Sequence, residues 1–140
     1  MRRVSVVVAS ALAFAVLGTA AAVAAPSSAG AAPTVVNVKL TEMKIVPSRR
    51  SVPAGKVTFR VKNVGMSLHE LVVIRSNKAP GKLSVKNHEA SEAGSVGEVA
   101  DLHAGKSGSV TLNLKKGKYV LICNITGHYQ AGMYTGFTVT

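Results

Sequence analysis

A chain of 140 residues with seventeen Lys or Arg against six Asp or Glu carries a formal charge of +11 and has a single cysteine. That length holds one domain once a leader is set aside, and one cysteine excludes an internal disulfide. The lysines are scattered from Lys39, Lys44 and Lys62 through Lys82 to Lys115 and Lys118. Without a basic cluster, and with an export signal, nucleic acid is not an expected partner.

Met1-Arg2-Arg3 is a short positive segment, and Val4 to Leu17 is almost uninterruptedly apolar. Gly18 to Ala25 is a run of small residues in which Ala22-Val23-Ala24 and Val23-Ala24-Ala25 both offer cleavage sites. Residues 1–25 therefore read as a secretory signal peptide, which gives a periplasmic or secreted protein. The alternative is an uncleaved anchor, since Val4 to Ala25 is long enough to span a bilayer if its alanines count as apolar. Alanine-rich spans insert poorly, so the expectation is cleavage and no stable membrane span. No cysteine follows the apolar stretch, which excludes a lipoprotein anchor. Loss of Arg2 and Arg3 leaves a charge of about +9, enough at low ionic strength to steer an acidic partner or hold the protein near anionic lipid.

Residues 26–33 are rich in Pro, Ser, Ala and Gly and read as a flexible linker. From residue 34 to residue 140 the signals are almost all β. Val35 to Leu40 opens the domain and Met43 to Val46 continues it, with Met43 expected in or near the core. Val57, Phe59 and Val61 alternate with Thr58, Arg60 and Lys62, the pattern of a half-buried strand. Leu71-Val72-Val73-Ile74 is continuously apolar and β-branched, which suits a central strand covered on both faces. Between Ser76 and Gly97 the pattern lapses into polar and glycine-containing sequence, either a short helix or a surface connection. Val110, Leu112 and Leu114 alternate again, Lys115 to Lys118 turns the chain, and Tyr119 to Ile122 and Phe137 to Thr140 are the last strands. Many short strands with frequent turn signals predict an antiparallel β-sandwich, with no room for βαβ units. Nothing in the sequence argues for an oligomer, so a monomer is expected.

The chemistry sits near the C-terminus, in Tyr119-Val-Leu-Ile-Cys123-Asn-Ile-Thr-Gly-His128-Tyr-Gln-Ala-Gly-Met133. An unpaired cysteine in an exported protein is a buried inert thiol, an intermolecular bridge or a ligand. Taken singly, cysteine and methionine are common core fillers. Together, a thiolate, an imidazole and a thioether on one strand-anchored loop are soft and borderline donors suited to copper, and His69 at the entrance of the most apolar strand can complete the set. Gly127 and Gly132 each precede a proposed ligand, where backbone freedom is useful. His88 and His103 lie in polar turns and read as surface histidines.

Tyr119 to Met133 resembles the C-terminal ligand loop of the cupredoxins, and Asn63-Val-Gly-Met-Ser-Leu-His69-Glu70 resembles the segment carrying their first histidine. The Cys-x4-His-x4-Met spacing is similar to that of the rusticyanin and sulfocyanin type, and the likeness spans residues 34–140. It implies a cupredoxin-like Greek-key β-sandwich of about eight strands holding one type 1 copper ion. His69, Cys123 and His128 would be equatorial ligands, the histidines through Nδ1, with Met133 axial. Glu70 and Asn124 would stand directly behind the ligands. Many relatives carry Asn or Ser after the first histidine, so Glu70 is a departure that either bonds the ligand segments together or points outward. Met66, Tyr129 and Ala131 would form an apolar docking patch around the exposed edge of His128. The implied function is not enzymatic: single electrons carried between redox proteins by Cu(II)/Cu(I) cycling. A copper carrier or storage protein could use the same ligands. A multicopper oxidase or nitrite reductase would need His-x-His pairs, or a histidine beside the cysteine, and a binuclear centre a second cysteine; the chain has none of these.

Overall fold

The computed structural model describes residues 32–140. The expected signal peptide, residues 1–25, and nearly all of the expected linker, residues 26–33, lie outside the described residues. No described helix is long and apolar enough to cross a membrane.

Among the described residues eleven strands form in chain order: β1 (Thr34–Thr41), β2 (Lys44–Pro47), β3 (Ser51–Val52), β4 (Gly55–Asn63), β5 (His69–Arg75), β6 (Val85–Lys86), β7 (Glu89–Ala90), β8 (Ser95–Leu102), β9 (Ser107–Leu114), β10 (Gly117–Ile122) and β11 (Tyr134–Val139). A four-stranded sheet, β2-β1-β4-β9, faces a five-stranded sheet, β3-β11-β10-β5-β8, and β6-β7 is a separate hairpin. The all-β Greek-key sandwich is as expected, but the strand count exceeds eight because β2, β3, β6 and β7 are only two to four residues long. The sheets are also mixed rather than purely antiparallel. β1 runs parallel to β4, and β3 parallel to β11, because each pair is joined through intervening chain and not by a hairpin.

Strict alternation builds the interior. Val36, Val38 and Leu40 of β1 and Val57, Phe59 and Val61 of β4 point inward and are at most 1% exposed. They meet Leu71, Val73, Tyr119, Leu121, Phe137 and Val139 from the opposite sheet. Phe59 and Phe137 pack edge to face at 5.3 Å, a favoured aromatic geometry. The Leu71 to Ile74 run is fully buried because it has two covers. Leu71 and Val73 face the sandwich interior, while Val72 and Ile74 join Val120 and Ile122 beneath Leu83, Ala90 and Tyr129. The polar stretch after Ser76 supplies that second cover: a 3-10 turn at Pro80–Lys82, then the β6-β7 hairpin. Met43 packs against the core edge, as expected.

β5 carries a register irregularity between His69 and Leu71 against β8. A bulge re-aims side chains locally, and this one falls beside the first of the candidate ligands.

Candidate metal centre

The donor atoms of His69, Cys123 and His128 converge at one end of the sandwich, and Met133 is buried on the same loop. His69 opens β5, and Cys123 directly follows the last residue of β10. His128 and Met133 lie on the loop that returns the chain to β11. Backbone bonds brace that loop: Cys123 N–H donates to Met133 O (3.1 Å), Met133 N–H to His128 O (3.0 Å) and His128 N–H to Ile125 O (2.8 Å). Gly127 and Gly132 have φ of 83° and 100°, left-handed conformations that favour glycine, so the turns before His128 and Met133 need them.

Cys123 Sγ lies 3.4 Å from Nδ1 of His128 and 3.8 Å from Nδ1 of His69. The thiol and imidazole donor atoms all fall within 4.8 Å of one another, a spacing consistent with sharing one ion. The two imidazoles are tilted neighbours, with ring centroids 5.1 Å apart. His69, Cys123 and Met133 are fully buried, and His128 is half-buried.

The electrostatics fit a cation. Burial, and then the neighbouring His128, push the His69 pKa below the ordinary histidine value, which keeps the ring neutral and able to donate a lone pair. Burial pushes the Cys123 thiol up, against the opposing pull of N–H groups from Glu70 and Ile125. A thiol buried in this way becomes a thiolate when a positive charge joins it, which is what metal binding supplies.

Behind the donors the two ligand segments are stitched together. Glu70 N–H donates to Cys123 Sγ at 3.4 Å, and Glu70 Oε1 accepts Asn124 N–H at 3.0 Å. Desolvation raises the Glu70 pKa, partly offset by that N–H bond. The Asn124 side chain accepts Ala90 N–H (2.7 Å) and donates to Ala90 O (3.0 Å) and to Glu92 Oε1 (2.8 Å), tying the ligand loop to the β6-β7 cover.

The structure places the other predicted site residues unevenly. Met66 is 90% exposed on the β4–β5 loop, and Ala131 is exposed on the ligand loop. Tyr129 is not on the rim: it is 3% exposed, and its hydroxyl accepts Leu83 N–H and donates to Pro80 O. The ring is drawn inward by the apolar cover over Val72 and Ile74, which gives its hydroxyl buried partners. His88 is exposed and bonds Gln130 at 3.1 Å. Two residues went unforeseen, Glu42 and Asn63, which organise the loop before His69.

The description "Cupredoxin-like domain" belongs to a family model that matches residues 11–135. Among solved structures, auracyanin B is similar at a TM-score of 0.61 and 26% identity, over 79% of this chain and 92% of that one. Auracyanin A, a "blue" copper protein from Chloroflexus aurantiacus, aligns at 0.59 and 19% identity, over 78% of this chain and all of that one. Reduced rusticyanin aligns at 0.57 and 16% identity, over 79% and 82%. None of the curated proteins matches in sequence. With its donors gathered as a copper site requires and its family matched across most of its length, the chain belongs to the cupredoxin-like family, and family and donor set together indicate one copper ion.

Proposed function

We propose that the protein is an exported mononuclear blue copper protein that carries single electrons between redox partners. The observation that carries this reading is the burial of a thiol, an imidazole and a thioether beside a second, half-buried imidazole on a doubly anchored loop. His69, Cys123, His128 and Met133 would hold the ion. When bound, copper supplies one-electron chemistry, and mixed soft and borderline donors suit both of its oxidation states.

The chain's own part is to keep those donors still. Cys123 and His69 sit at strand ends, where the ladders of β10 and β5 hold their backbones. The cross-bonds of Glu70 and Asn124 fix one ligand segment against the other, as outer partners of metal ligands do. The fully buried Met133 packs against the core and helps exclude water. His128, the least buried donor, is the natural edge for electron exchange, and Met66, Val64 and Ala131 offer exposed apolar surface on loops at the same end. We assign the domain to residues 34–140, behind a cleaved leader.

Protein given one equivalent of Cu(II) is expected to show intense visible thiolate-to-copper absorption, bleached by a reductant and restored by an oxidant. The Cys123→Ser variant should lose that band. A colourless wild type, or an unchanged band in the variant, would sink the reading. Retention of the ion through repeated redox cycles against a chelator is expected of an electron carrier; ready loss of Cu(I) would instead support a copper carrier.

A further inference from the structure

The turn between β1 and β2 brings a carboxylate to the back of the metal centre. Met43 adopts φ 56°, closing a tight turn that leaves Glu42 beneath the loop joining β4 to β5. Glu42 Oε1 accepts Met66 N–H at 2.6 Å and Ser67 N–H at 3.0 Å. The fully buried Asn63 braces the same loop, accepting Gly65 N–H and donating to the carbonyls of Ser67 and Leu102. A Cβ at position 65 would stand 2.6 and 2.7 Å from the two Glu42 carboxylate oxygens, so any residue other than glycine there pushes that carboxylate aside. The loop is thus built around this carboxylate.

His69 lies immediately beyond. Its Nδ1 faces Cys123 Sγ, while its Nε2 is buried and has no hydrogen-bond partner among the described residues. The nearest acidic atom to that nitrogen is Glu42 Oε1, at 3.8 Å. A neutral imidazole carries one N–H, so an Nδ1 that offers a lone pair to an ion leaves the proton on Nε2, aimed at the carboxylate.

We propose that Glu42 is a positioning residue of the metal centre: its carboxylate faces Nε2–H of His69, selects the tautomer that frees Nδ1 and sets a fixed negative charge behind the ligand. A carboxylate behind a ligating histidine raises the basicity of the ring. That charge favours the more oxidised ion and so lowers the reduction potential. The charge effect rests on the copper reading, whereas the tautomer is a property of the metal-free protein. Glu42 is 46% exposed, so water screens its charge and the effect is moderate.

The test compares wild type with Glu42→Gln and Glu42→Ala. Glutamine keeps an oxygen for the two loop N–H groups and loses the charge. In the copper-loaded Glu42→Gln protein the preference for Cu(II) over Cu(I) should fall about tenfold, a rise of about 59 mV for a one-electron couple, with the visible band kept. Glu42→Ala should add a loss of stability to urea, because it also frees the loop. In the metal-free wild type, nitrogen NMR of His69 should find the ring proton on Nε2. A coloured Glu42→Gln protein with an unchanged potential, or a ring proton on Nδ1, would overturn the proposal. A wild type that never becomes coloured defeats the copper reading instead, and the NMR result then decides the assignment to Glu42.

Discussion

His69 and Glu70 are adjacent in sequence, yet burial moves their titrations in opposite senses. The folded His69 ring resists protonation, so below the unfolded value of about 6.5 the unfolded chain takes up the proton first and stability falls with acid. The Glu70 carboxyl has a raised pKa, so on acidification the folded protein takes up that proton before the unfolded chain does, and stability gains. Urea unfolding of the metal-free protein from pH 7 toward pH 4 therefore reads a difference between the two. The Glu70→Gln variant, stripped of the compensating group, should lose stability more steeply over that interval, and His69→Leu less steeply. Parallel curves for the three proteins would contradict this assignment of protons. The donors were legible beforehand because Cys, His and Met at regular spacing on one loop form a local pattern. The partner of Glu70 was not, since it is an Asn124 backbone N–H that only the pairing of β5 with β10 brings near. Glu42 was less legible still, reaching His69 from a turn in the other sheet.

Among the elements, the segment between β5 and β8 is the one whose role depends on its contacts rather than its own sequence. Its polar residues face water, while Leu83 and Ala90 seal Val72, Ile74, Val120 and Ile122. Tyr129 links this cover to the ligand loop through bonds of 2.9 Å from Leu83 N–H and 2.7 Å to Pro80 O. Replacing Tyr129 by Phe keeps the ring and strands the Leu83 N–H in a buried place, at a cost of about 1–3 kcal/mol. Urea unfolding should read that loss, and hydrogen exchange should speed first at Leu83; a variant as stable as wild type would show that the link carries no energy. Strand prediction succeeded where one face is buried, as in β4, and failed for β8, an edge strand in which only Val99 and Leu102 are buried. Alternation is a signal of burial, and in β8 the two inward residues stand three apart, with Asp101 at φ 51° between them, so the period of two is lost.

Across the whole molecule, charge is segregated in a way the net value of about +9 for the leaderless chain conceals. The outer face of the four-stranded sheet carries Lys39, Lys44, Lys56, Arg60 and Lys62 and no carboxylate. Lys39 stands directly opposite Lys62 in the parallel register, a like-charge pairing that costs stability. Lys39, Arg60, Lys62, Ser107 and Ser109 line a groove of about 600 Å³ there. The acidic residues lie elsewhere: Glu42 and Glu70 at the metal end, Glu89 and Glu92 bonded to the ligand loop, and Glu98 and Asp101 on β8. Among the described residues no lysine or arginine is ion-paired with a carboxylate, so these cations are available to an external anion. An acidic partner would then be steered by the sheet flank and not by the rim of the metal end, where carboxylates oppose it. Electron exchange with such a partner should slow about tenfold as ionic strength rises from low to physiological salt. Lys39→Glu combined with Lys62→Glu should slow exchange at low salt and flatten that dependence. The same reversal at Lys115 and Lys118, in and just after the β9–β10 turn, should leave most of it intact. Stopped-flow rates that ignore salt, or that respond equally to both pairs, would place the steering charge on the whole protein instead of on this face.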